Sequence, residues 1–119
     1  MALTREQILE AKDIQIEKIN IPEWGGDIYV KGLSGTANDE FQESIIEIKD
    51  GKRKVLFKNM RAKLCALTIC DEHGNLLFTE NDVEALGKKC SYALSIAFEA
   101  AQRLSGLTKN DIDNLRKNL

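Results

Sequence analysis

Residues 89–104 carry Cys90, Ala93, Leu94, Ala97, Phe98, Ala101 and Leu104 at intervals of three and four. That spacing predicts a helix with one continuous apolar face, which must be buried against a second layer. Gly106 sits where a helix-ending glycine is favoured. The second layer is near the other end of the chain. Ile14-Gln15-Ile16-Glu17-Lys18-Ile19-Asn20-Ile21 is β-branched and alternating, which predicts a strand. Pro22-Glu23-Trp24-Gly25-Gly26-Asp27 supplies a turn, and Asp27-Ile28-Tyr29-Val30-Lys31 returns as a second strand. A hairpin over about 14–31 is marginal alone and needs helical cover. The reading is α+β: an N-terminal β-hairpin packed on a bundle of four to five short helices, the helical part spanning about 36–118. With 119 residues this is one domain, 1–119, large enough to bury roughly two thirds of its unfolded surface.

Punctuation by caps and glycines predicts the smaller elements. Thr4 and Gln7 have capping-box spacing, opening a short helix to about Lys12 with Ile8 and Leu9 inward. The strand alternation changes phase once, Ile14 and Ile16 falling on one face and Ile19 and Ile21 on the other. A bulge or a local break near Glu17-Lys18 would reconcile them. Thr36 with Asp39 caps a helix to about Ile48, striped by Phe41, Ile45 and Ile48 and ended by Asp50-Gly51. Residues 55–70 form the next helix, with Phe57, Met60, Leu64 and Leu67 inward. Residues 71–75 are a loop. Thr79 with Asp82 opens a short helix stopped by Gly87, and Thr108 with Asp111 caps a last, thinly apolar helix carrying Ile112 and Leu115.

Composition excludes several classes. No apolar run approaches the ~20 residues of a membrane span. The opening Met1-Ala2-Leu3-Thr4-Arg5-Glu6 has acid where a signal peptide is apolar. Three cysteines, an odd number among apolar neighbours, argue for a reducing cytoplasm over a disulfide framework. Seventeen basic against nineteen acidic residues, net −2, make a poor starting point for a nucleic-acid binder.

No chemical motif survives inspection. Cys65 and Cys70 stand five apart on a predicted helix and Cys90 on the stripe of another, spacing unlike a zinc site's, so the three read as buried structural thiols. His73 follows Asp71 and Glu72, acids that would raise a nearby thiol's pKa. A Cys/His nucleophile or a thiol enzyme built on Cys65 or Cys90 is therefore disfavoured. Asp71–Asp82 mimics a calcium loop but has Leu76 where that loop needs glycine and Asp82 where it needs glutamate. The glycines fit no phosphate-cradling spacing, and the carboxylates are spread along helix faces. No cofactor or metal is implied.

Two features point to partners. Asp39, Glu40, Glu43 and Glu47 make one stretch acidic, and Lys52, Arg53, Lys54, Lys58, Arg61 and Lys63 make the next basic. A basic amphipathic helix using Lys54, Lys58 and Arg61 would suit nucleic acid or an acidic partner; equally, the cations are solvated or pair with the acidic helix beside them. Trp24, the single tryptophan, stands at the hairpin tip, either as an interface hot spot or folded back as a lid on the helices.

The order of motifs resembles the tail assembly chaperones of long, non-contractile-tailed bacteriophages. The likeness lies in residues 1–9, in Ile21-Pro22-Glu23-Trp24-Gly25-Gly26-Asp27-Ile28-Tyr29-Val30, in Gly35-Thr36 and in Asp39-Glu40-Phe41. It continues through Arg61-Ala62-Lys63-Leu64, Ala66-Leu67-Thr68, Asp71-Glu72, Gly74, Leu77-Phe78-Thr79, Asp82–Gly87 and Phe98–Leu107. The three cysteines and the basic stretch from Lys52 depart from the pattern. The resemblance implies a non-enzymatic role, holding the tape-measure protein soluble in the host cytoplasm while major tail-tube subunits polymerise around it, and absence from the finished virion. It also implies a longer, frameshifted form, with which an A-rich run encoding Arg116-Lys117-Asn118 is compatible. Helix-in-groove binding would suit such a chaperone, because exposed apolar stripes on a long helix aggregate unless covered.

Overall fold

The computed structural model describes residues 1–107. The element order is α1 (Arg5–Glu10), β1 (Ile16–Ile21), a 3-10 turn (Pro22–Trp24), β2 (Gly26–Lys31), α2 (Gly35–Ser44), β3 (Ile46–Lys49), β4 (Lys52–Val55), α3 (Met60–Thr68), β5 (Ile69–Cys70), a second 3-10 turn (Glu80–Asp82), α4 (Val83–Gly87) and α5 (Ser91–Leu104). The fold is α+β, with a strand pair near the N-terminus as the alternation and the turn predict. The helix expected from Thr108 and Asp111 lies outside the described residues.

β1 and β2 form an antiparallel hairpin in continuous register, Ile16 opposite Lys31 through Ile21 opposite Gly26. No extra residue interrupts it, so the expected bulge near Glu17-Lys18 is absent. The phase change is resolved by exposure instead. Ile14 precedes the strand, Ile14 and Ile16 stay in solvent, and Ile19 and Ile21 alone carry the inward face. The sheet gains a third strand that the sequence reading did not expect. β5 pairs with β2, Val30 opposite Ile69 and Tyr29 opposite Cys70, giving the order β1-β2-β5.

The helical layer covers this sheet's inner face. Ile21 and Val30 pack with Phe41 and Ile45 of the α2 segment, Leu64 of α3, Ile69 of β5, and Ala93, Leu94, Ala97 and Ala101 of α5. The alanines on α5 let α3 approach closely, because they leave no bulk between the helix backbones. Cys90 is a correction. It caps the helix from an exposed position and does not belong to the buried stripe. α5 ends as Gly106 requires. With φ 71° the glycine allows Leu107 to donate to the Gln102 carbonyl at 2.8 Å and Gly106 to the Arg103 carbonyl at 3.3 Å, a Schellman motif.

Three other expectations give way. α2 is capped by Ser34, whose hydroxyl accepts from Ala37 N–H at 3.1 Å, and not by Thr36. The helix stops at Ser44, and Ile46–Lys49 turns back on Lys52–Val55 as a second, separate hairpin, leaving Ile48 largely exposed. Its turn is Asp50-Gly51, both with positive φ (54° and 75°), the requirement of a type I′ turn. The helix expected over 55–70 is only Met60–Thr68, and Phe57 lies before it on the surface.

One ion pair ties the layers. Arg103 on α5 donates two parallel hydrogen bonds, 2.8 and 3.0 Å, to the Glu17 carboxylate on β1. Those bonds first, and the guanidinium charge after them, hold the Glu17 carboxyl below its ordinary 4.5. A carboxyl with a lowered folded pKa adds stability above its unfolded value, and the gain is lost as pH falls through the folded one. The pair is solvent-exposed, so the gain is small. Glu17→Gln is expected to lower the thermal midpoint slightly at neutral pH, with the gap to the parent closing as the pH is taken well below 4.5 in a melting series.

Candidate functional site

The hairpin tip is built to place one aromatic ring. Pro22 opens the 3-10 turn with its φ preset, and Gly25 closes it at φ 78°, a conformation that glycine adopts freely. Trp24 is thereby folded back, half-buried against the core, as the lid reading has it. It lines a cleft of about 470 Å³ with Glu23, Phe78, Asp82, Ala85, Leu86 and Lys89. The floor is aromatic and aliphatic, and the rim carries two carboxylates and one ammonium. The Trp24 indole Nε1 is buried and meets no acceptor among the described residues.

The far wall is positioned by two local devices. Thr79 donates its backbone N–H at 2.8 Å and its hydroxyl at 3.3 Å to the Asp82 carboxylate, which sets the turn leading into α4. At the end of α4, Gly87 lies close to the start of α3, where a Cβ would stand 3.7 Å from Ala62 Cβ and would push the Asn59 side-chain oxygen aside. The Thr79–Asp82 spacing was legible in the sequence. That Phe78 and Leu86 would face Trp24 was not, because the hairpin tip and α4 lie some sixty residues apart.

The other residues singled out by sequence are dispersed. Lys54 is exposed on β4 opposite Glu47, Lys58 is exposed in the connector to α3, and Arg61 is in the first turn of α3. They do not form one basic helix, a correction to the expected surface, and none of the three lines the Trp24 cleft. Arg61 is occupied in bracing two helices. Its Nη1 donates to the Ser91 carbonyl (3.1 Å), the Ser91 hydroxyl (2.7 Å) and the Ser95 hydroxyl (2.8 Å) of α5. A second apolar surface was missed. Every residue from Met1 to Ile16 is exposed, including Leu3, Ile8, Leu9 and Ile14, so Ile8 and Leu9 face outward against expectation. The capping box on α1 is complete, with Gln7 N–H donating to the Thr4 hydroxyl at 3.2 Å and Thr4 N–H to Gln7 Oε1 at 2.9 Å. The cap announced the helix and said nothing of a cover for it.

A family model described as phage tail assembly chaperone matches residues 4–118. The chain belongs to the phage tail assembly chaperone family. The solved structure of the bacteriophage HK97 tail assembly chaperone is similar to it at 19% identity and a TM-score of 0.51, covering 79% of this chain and 94% of that one. At that identity the likeness shows a shared fold. No curated protein matches the chain in sequence.

In this tail assembly chaperone fold the thiols divide by position. Cys65 is buried between α3 and α5 with its Sγ 3.8 Å from the Leu94 carbonyl, and burial pushes its pKa up to about 12 against the opposing pull of Arg61. Burial also raises that of Cys70. Neither thiol forms thiolate readily at neutral pH, whereas Cys90 is exposed. Brief alkylation of the native protein is expected to add one group, at Cys90, by peptide mass mapping; rapid labelling of Cys65 would contradict the packing. Among the described residues no three His, Cys, Asp or Glu side chains converge on a metal-sized site, and no helix is long and apolar enough to cross a membrane.

Proposed function

We propose that this chain acts without catalysis as a tail assembly chaperone that binds the tape-measure protein and helps bring tail-tube subunits to it. The work is done in the host cytoplasm, and the chain leaves before the virion is complete. The observation that carries the reading is the Trp24 cleft. Its aromatic and aliphatic floor with a charged rim suits one apolar stripe of an amphipathic helix, held weakly enough to be displaced by polymerising tube subunits. The exposed apolar arm of residues 1–16 adds a second contact surface for the same client. A longer frameshifted form carrying the same cleft belongs to this reading, and the gene sequence around codons 116–118 tests it.

The experiment is calorimetric titration of the chaperone with a helical tape-measure segment. Trp24→Ala is expected to weaken binding by about 2 kcal/mol, roughly thirtyfold, as truncating a central aromatic anchor does. Lys54→Ala with Lys58→Ala is expected to leave it nearly unchanged. If the segment fails to bind while DNA binds with a steep salt dependence lost in the double lysine variant, a nucleic-acid adaptor reading replaces this one.

A further inference from the structure

The cleft at the hairpin tip contains a donor with nothing to donate to. Trp24 packs half-buried against the core, and its indole Nε1 is out of solvent with no acceptor among the described residues. A buried N–H in that state bears the full cost of its lost hydration, and folded chains leave few of them. The surroundings explain the lack. Phe78, Ala85 and Leu86 have no side-chain acceptor, and the Asp82 carboxylate takes the Thr79 N–H and hydroxyl instead. On the rim Glu23 and Lys89 are exposed, and neither belongs to an ion pair among the described residues.

These groups restrict what a bound helix must bring. A carboxylate would meet Glu23 and Asp82 and lose its own hydration over the apolar floor. Backbone carbonyls of a helix are taken by its own N–H groups, except in the last turn. A Ser or Thr hydroxyl sits close to its helix and bonds back to the preceding turn. Asn and Gln carry a neutral carbonyl oxygen on a longer stem, with amide donors that suit the rim carboxylates. We infer that the Trp24 cleft selects a helix whose apolar stripe is interrupted by one Asn or Gln, its side-chain carbonyl accepting from Trp24 Nε1. The inference rests on the client reading above and adds a register to it. A long apolar stripe offers many near-equivalent places to bind, and every place that sets an aliphatic side chain against the indole leaves the N–H unpaired. One carboxamide singles out a stretch, as a lone Asn fixes register in a coiled coil. Contact requires a small turn of the ring, which its place in a surface turn at Pro22–Trp24 allows.

The test removes the N–H and keeps the ring. Trp24 is the single tryptophan, so expression with benzothienylalanine in place of tryptophan puts sulfur for N–H at one site of the full chain. The free protein is expected to keep its thermal midpoint, because the N–H has no partner there to lose. Its affinity for the helical tape-measure segment is expected to fall roughly fivefold to tenfold, the effect of one hydrogen bond. In the natural protein the one indole N–H signal of the proton–nitrogen spectrum is expected to move downfield when the segment is added. Among segments with each Asn or Gln of the stripe changed in turn to Leu, one is expected to show the same loss, with no further loss against the benzothienyl protein. Equal affinity of the two proteins, an unmoved indole signal, or no segment variant that matches would overturn the inference while Trp24→Ala still weakens binding and the client reading stands. A benzothienyl protein that melts well below the natural one would show an indole partner within the free chain and overturn it too. A segment that binds neither protein removes the client reading, and this inference with it.

Discussion

Phe41→Ala is expected to cost about 3–5 kcal/mol, as deletion of a fully buried aromatic does. Phe41 is 1% exposed, at the centre of the cluster that joins the sheet's inner face to α2, α3 and α5. A domain of this size holds only about 5–15 kcal/mol in total, so the variant would have a much lower urea midpoint and a sizeable unfolded fraction at body temperature. Ile8→Ala provides the contrast. Ile8 is an isoleucine of similar apolarity, but exposed, and its loss is expected to stay within about 0.5 kcal/mol. Comparable losses for the two variants would mean that α1 packs on the domain in solution.

Gly32→Ala tests a different force, close approach of backbone to backbone. A Cβ on Gly32 would stand 2.5 Å from the Leu104 carbonyl oxygen and 3.1 Å from its carbon. Neither atom belongs to a flexible side chain, so the end of β2 and the end of α5 must move apart. Their junction is also held by Leu33 N–H donating to the Ser105 hydroxyl at 2.9 Å, while Gly32 N–H, donating to the Gln15 carbonyl at 3.0 Å, keeps this end of β2 tied to the residue before β1. The expected loss is about 1–3 kcal/mol, read as a drop in the denaturation midpoint with little change in its slope. Gly35→Ala, at a position with open space around it, should show no such packing penalty.

How far the sequence could be read depended on whether an element's evidence was local. The α5 stripe from Ala93 onward, the Pro22–Gly25 turn and the capping boxes at Thr4 and Thr79 are set by neighbours within a few residues, and each appears where its pattern predicts. The second hairpin is hidden in the sequence because Phe41, Ile45 and Ile48 also fit a helical stripe. Asp50-Gly51 can end a helix or turn a two-residue hairpin, and only the positive φ at both residues selects the hairpin. β5 left no readable signal. Two residues that continue the apolar run of α3 become a strand only because β2 is there to pair with them. The cleft was half legible: Trp24 stood out by type and position, while Phe78 and Leu86 became its neighbours through tertiary packing alone. The basic stretch does not share one helix, because Lys54 lies on β4, Lys58 in the connector and Arg61 on α3, where it donates to the serines of α5.

The sheet order β1-β2-β5 has a consequence for biosynthesis. A ribosome releases the first hairpin long before residue 69 supplies its third strand and residues 91–104 supply its roof. Until then Ile21 and Val30 have no lasting cover, and pairing across that distance must wait for slow chain closure. The newborn protein is thus itself a sticky client during translation, and it matures only when residues 91–104 have emerged from the exit tunnel.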